Sequence, residues 1–188
     1  MSVELLQRVV DETTRIVDNV KEDQLGNSTP CSEWTVRDIV NHITGGATMF
    51  AISAEQGKVP DEQIGQLLGG DNLGNDFKGA WGVAGTRAMN AFDGLDLSKV
   101  VTLPFGEMPA GIALNIAIFD VTVHALDLAE ATGQSKALDS EVLEAAYGIG
   151  TQMIGPDLRV PGVFGPEVKI ADSAPLPDRI LAFAGRSA

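Results

Sequence analysis

Cysteine is almost absent: Cys31 is the single thiol. No intramolecular disulfide can form, and nothing points to an oxidising compartment. Cations are scarce as well. Thirteen Lys and Arg stand against 26 Asp and Glu, for a net charge of −13. Such a chain is a poor partner for a phosphate backbone or an anionic membrane, so neither nucleic acid nor membrane is expected. A long hydrophobic run is missing too. The longest uncharged apolar stretch, Met108–Phe119, stops at Asp120 and is too short to span a bilayer. The first residues have no basic segment followed by an apolar one, the mark of a signal peptide. The expected location is cytoplasmic. Walker loops, dinucleotide glycine fingerprints, nucleophile elbows and CxxC pairs are also lacking. Histidine is limited to His42 and His124, so the places of those two carry weight.

What is present is ordinary for a folded protein. Of the 188 residues, 44% are hydrophobic and 21% are charged, which argues against disorder. One domain over residues 1–188 is expected, large enough for its own core. Apolar residues at helical spacing predict a helix over 3–22 with Ser2 as its N-cap. A second helix is predicted from Thr35, with Asp38 completing a capping box, and Gly45-Gly46 marks a kink or a close helix contact. Residues 57–75 read as a long loop with one helical turn at 61–68. A third long helix covers 76–92, and its glycines 79, 82 and 85 suggest tight packing. Val100–Leu103 reads as a short strand followed by a turn at Pro104, Gly106 and Pro109. The helix over 110–132 is apolar nearly all round, hence central and buried, and Gly133 ends it. A fifth helix is predicted over 139–153. The Pro- and Gly-rich tail has an extended piece at 168–170 and a short helix at 178–185. The fold class is all-α: a four-helix bundle with short extra helices and minor extended segments.

That central helix holds Asp120, His124 and Asp127. Asp120 and His124, four apart, share one face, where a carboxylate and an imidazole are costly unless paired, hydrogen-bonded or bound to a metal. His42 falls on the inward edge of the second helix. Two imidazoles and a carboxylate on facing helices are a metal-site pattern with open positions. An ordinary buried hydrogen-bonded pair accounts for the same spacing. Asp127 reads either as an outer group orienting His124 or as an exposed acid near the helix end. Cys31 reads as a fourth ligand, a reactive thiol or a small half-buried residue, and Trp34 as a staple on the helix start.

Three blocks carry a family resemblance. The first runs from Thr29 through Pro30, Cys31, Trp34, Thr35 and Asp38 to His42. The second is Asp120–Gln134, and the third and weakest is Pro177–Arg186. Together they resemble the mycothiol-dependent maleylpyruvate isomerase N-terminal domain family, part of the DinB-like (YfiT-like) metalloenzyme superfamily. The resemblance implies a DinB-like four-helix bundle and one divalent metal ion held by His42, Asp120 and His124. Zinc is the first choice, with nickel or iron as alternatives. The isomerase resembled here has Glu where this chain has Asp120, which leaves the metal's identity open. It also has a second, C-terminal α/β domain. About 35 residues follow position 153 here, too few for such a domain, so the isomerisation of maleylpyruvate in particular is not carried over. The expected function is a metal-dependent enzyme using a low-molecular-weight thiol such as mycothiol on a small electrophilic substrate, as an isomerase or S-transferase. In it Asp127 serves as an outer-shell or proton-carrying catalytic residue. The rival is a non-catalytic metal-binding or regulatory bundle. A homodimer is expected only on the commonness of symmetric dimers.

Overall fold

The computed structural model describes residues 2–160 and 163–186. Among them are seven α-helices and one β-hairpin: α1 (Val3–Asp18), α2 (Val36–Gln56), α3 (Asp61–Gly69), α4 (Phe77–Phe92), β1 (Val100–Leu103), β2 (Gly106–Pro109), α5 (Ala110–Thr132), α6 (Ser140–Met153) and α7 (Leu176–Phe183). Helices α1, α2, α4 and α5 pack in a ring, each against two of the others, and form the bundle. Helix α6 lies on α5 and α1, and α7 on α6 and α5. The expected helical bundle with short extras is present.

Sequence explains most of the boundaries. Thr35 caps α2: its hydroxyl accepts from the Asp38 N–H, while the Asp38 carboxylate accepts from the Thr35 N–H. The Thr35 hydroxyl also donates to Asp38 Oδ2 at 2.6 Å, and this bond first, then the one from the Thr35 N–H, holds the Asp38 carboxyl below its usual range. Gly133, at φ +68, ends α5 in the left-handed conformation. Helix α1 stops four residues short of the expected end. Val20 still enters the core, but through a turn in which its N–H reaches the Val17 carbonyl, so the apolar spacing outlasts the helix. Ser2 occupies the N-cap position without a side-chain hydrogen bond.

Three expectations need correction. The turn after β1 is a hairpin in which Gly106–Pro109 pairs antiparallel with Val100–Leu103. Its second strand has no apolar alternation to announce it. Residues 168–170 form no strand. Of the three α4 glycines, only Gly85 is pressed against another helix, where an added Cβ would come 2.8 Å from Val10 Cγ1; none of Gly82's surroundings comes within 4 Å.

Helix α5 is the axis of the protein. By length and composition it could cross a membrane, yet 78% of its most apolar window is buried inside the protein. Beside it, Gly45 on α2 brings α3 close. A Cβ there would stand 2.1 Å from the Leu67 carbonyl oxygen, so any larger residue would push α3 away.

Candidate metal centre

The bundle's two most buried long helices bring the chemistry together. His42 comes from α2, and Asp120, His124 and Asp127 come from α5, one turn apart along one stripe. His42 Nε2 lies 3.2 Å from Asp120 Oδ1. His124 Nε2 lies 3.6 Å from the same oxygen. One donor atom from each of the three residues falls within 4.8 Å of the other two. Gly46, one turn after His42, leaves room for the second Asp120 oxygen, which sits 3.8 Å from where a Cβ would stand.

The outer nitrogen of His124 is fixed from behind. Its Nδ1 lies 3.0 Å from Asp127 Oδ2, and a carboxylate only accepts, so Nδ1 carries the hydrogen. In the neutral ring, Nε2 is then a lone pair facing the Asp120 carboxylate. A lone pair and a carboxylate oxygen 3.6 Å apart leave a place that either a proton on Nε2 or a bound cation fills. Asp127 is therefore not the exposed acid that one reading allowed: it has no exposed surface. Its Oδ2 also faces Arg186 Nε and Nη2 at 3.5 Å, while Oδ1 is buried without a partner.

Without a cation the charges arrange themselves. Burial opposes a charged His42, but the Asp120 carboxylate beside it outweighs burial and raises the His42 pKa. Burial likewise pushes the Asp120 carboxyl up. The two imidazoles, His42 foremost, and Arg186 pull it further the other way, down to about 2. The donor set fits a divalent ion. Zinc holds imidazole nitrogen and carboxylate oxygen at about 2.0–2.2 Å in a tetrahedron, which sets neighbouring ligand atoms about 3.3–3.6 Å apart. The 3.2 and 3.6 Å separations of the two imidazole nitrogens from Asp120 Oδ1 lie close to that spacing.

The turn before α2 roofs the cluster. Thr29 Oγ1 donates to the carbonyls of Cys31 and Trp34 and ties the turn together. Glu33 adopts φ +74, the one left-handed non-glycine among the described residues. Trp34 is more than a staple: its ring stacks on His124 (centroids 5.5 Å apart) and tilts over His42 (4.7 Å). Cys31 is half-buried and lies on the Asp127 side of His124, within 4.8 Å of donor atoms of both. It is not grouped with His42 and Asp120. Burial, with the two carboxylates adding to it against Arg186, raises its thiol pKa, so the thiol stays protonated.

A cavity of about 520 Å³ opens onto His42, Asp120 and His124. Its far wall comes from the tail: Arg159, Phe164, Gly165, Gly185 and Arg186. Gly165 and Gly185 make this wall possible. Gly185 has φ +82, and a Cβ on it would stand 2.7 Å from the Gly165 Cα, so two backbone segments cross in contact. Sequence reasoning passed over Arg159, Arg186 and Glu33. Arg186 sits in the third resemblance block, but no periodicity marks its inward direction.

Comparison with known proteins agrees with this architecture. Residues 6–129 match the model of the mycothiol maleylpyruvate isomerase N-terminal domain. Uncharacterized proteins from two strains of Mycobacterium tuberculosis are each 35% identical over 182 residues, 96% of this chain and 95% of the relative. The crystal structure of the mycothiol-dependent maleylpyruvate isomerase superposes with a TM-score of 0.59 at 18% identity, covering 76% of this chain and 65% of the isomerase. A His-to-Ala mutant of that enzyme gives 0.57 over the same shares. The likeness is one of fold, and this chain spans just under two thirds of the isomerase's length.

Proposed function

The chain belongs to the mycothiol maleylpyruvate isomerase N-terminal domain family, and from that premise we propose that it is a divalent-metal protein using a low-molecular-weight thiol on small electrophiles, by isomerisation or S-transfer. His42, Asp120 and His124 hold the ion, zinc first, with nickel or iron(II) as alternatives. The observation that carries this reading is the meeting of three donor atoms from two helices, with Asp127 behind the third. When bound, such an ion supplies Lewis acidity that lets a thiol lose its proton near neutral pH.

The chain's own residues do the rest. Asp127 keeps the hydrogen on His124 Nδ1, which aims Nε2 inward and makes the ring a better donor. Trp34 covers one side of the imidazoles and keeps water from that side. The 520 Å³ cavity admits a small electrophile beside the thiol sulfur. Cys31 groups with His124 and Asp127 and not with His42 and Asp120, so in this reading the reacting thiol comes from solution.

The test is turnover of small electrophiles by metal-loaded protein, with and without added thiol. Thiol-dependent turnover that disappears in His42→Ala upholds the proposal. A panel of thiols that neither react nor bind at the metal leaves the rival reading, a bundle that binds metal without catalysis.

A further inference from the structure

Two arginines stand on the tail wall of the metal cavity, and they are held in different ways. Arg159 is fully engaged by the tail itself. Its Nη1 donates to the carbonyls of Gly165 at 2.9 Å and Phe183 at 3.0 Å, and its guanidinium lies 4.8 Å from the Phe183 ring centre. Arg186 is only 8% exposed, yet among the described residues its one short hydrogen bond runs to the Ala184 carbonyl at 2.9 Å, within its own segment. Toward Asp127 it offers Nε and Nη2 to the same oxygen, each at 3.5 Å, and leaves Asp127 Oδ1 without a partner.

A guanidinium paired well with a carboxylate meets it fork to fork, at about 2.7–2.9 Å. Arg186 and Asp127 instead touch by charge, without well-directed hydrogen bonds. A buried cation needs counter-charge, and the metal centre supplies it. The charge of Arg186 reaches Asp120 as well, whose carboxyl burial raises and His42, His124 and Arg186 together lower. Arg186 therefore lives in the field of the same two carboxylates that hold and support a divalent ion. With an ion between His42, Asp120 and His124, Asp120 is neutralised directly and Asp127 through the His124 ring. Arg186 then loses the charge that keeps it buried and gains a neighbour of its own sign.

We propose that Arg186 and the metal ion oppose one another: the arginine weakens metal binding, and the ion loosens the end of the tail. The proposal rests on the metal reading given above and adds to it a link between metal occupancy and the outer wall of the cavity. The two effects are one coupling seen from either side, so they share a sign and a size. The backbone concerned is Gly185–Arg186, whose N–H groups bond to the carbonyls of Ala182 and Leu181. Helix α7 itself stays in place, because Ile180 and Leu181 belong to the core.

Zinc competition against a chromophoric chelator tests it on the full chain and two variants. Arg186→Met removes the charge at similar length and should bind zinc about fivefold more tightly or better. Arg186→Lys keeps the charge and should stay within about twofold of the unaltered chain. An arginine that served only to brace the centre would act in the other direction, since its loss loosens the donors. Zinc affinity that is unchanged or weaker in Arg186→Met, with its helical circular dichroism intact, overturns the proposal. Amide hydrogen exchange on the unaltered chain needs no variant. The N–H groups of Gly185 and Arg186 should exchange about fivefold faster with zinc bound. Equal or slower exchange there overturns the proposal, even where Arg186→Met does not fold. A chain that takes up no zinc removes the metal reading and this coupling with it. Zinc uptake that is indifferent to Arg186 removes the coupling alone.

Discussion

The metal cavity has two walls made by different rules. The inner wall is α2 and α5, where His42, Asp120 and His124 occupy inward positions of regular helices. Their places follow from a 3.6-residue repeat, and the helices' own cores hold them there. The outer wall is the 28–35 turn and the tail from 155 to 186, where position depends on a left-handed Glu33, a Gly165–Gly185 crossing and an Arg186 side chain reaching back to Asp127. Regular structure fixes the donor atoms, and irregular structure shapes what can approach them. The inner wall lies within the residues that match the family, while the tail half of the outer wall does not. The candidate donor atoms and the surface that faces them thus come from different parts of one chain.

Mutations can break that division, starting with the largest effect. His124→Ala or His42→Ala should abolish stoichiometric metal binding, read by elemental analysis of protein incubated with zinc. Asp127→Ala should weaken the metal about 10–100-fold, because it releases His124 Nδ1 without removing a ligand. Competition with a chromophoric chelator measures that loss.

Acid should act on the inner wall alone. The His42 pKa is raised, so below it a proton competes for the same nitrogen, and affinity should fall up to about tenfold per pH unit. The metal-free protein should respond in the opposite direction. Its His42 pKa lies above the unfolded value, so the stability this contributes is full below about 6.5 and is lost as pH rises through the folded value. Thermal melts with and without zinc across that window check both signs.

A smaller effect sharpens the boundary between the walls. Thr35→Ala removes the cap that starts α2 and should cost about 1 kcal/mol of stability, visible in urea unfolding, with metal affinity nearly unchanged. The smallest effect belongs to the outer wall. Phe164→Ala lines the cavity without touching a donor, so it should leave metal affinity within about twofold while altering thiol or substrate binding. A large loss of metal there would erase the distinction.

The same division explains what the sequence could reveal. Helices α2, α4, α5 and α6 were legible to within a residue or so because caps and apolar spacing agree. His42, Asp120 and His124 were legible because charge on an otherwise apolar helix face needs a reason. Asp127 was half legible: its spacing placed it one turn on from His124, but its burial depends on the tail folding over it. Trp34 reads as a staple in sequence, because position before a cap says nothing of the imidazoles on the far side of the turn. Arg159 and Arg186 were hidden, since they sit outside any periodic element and their direction is set by a crossing of two glycines. The second strand of the hairpin, Gly-Glu-Met-Pro, was hidden because its pairing comes from β1 and not from its own pattern.

The central claim is that three side chains on two helices hold one divalent ion. Elemental analysis of the full chain, purified without chelator and then incubated with zinc, nickel or iron(II), tests it most directly. The account predicts one ion per chain, lost in both His42→Ala and His124→Ala. A stoichiometry well below one after all three incubations, or an ion retained in both variants, would contradict it.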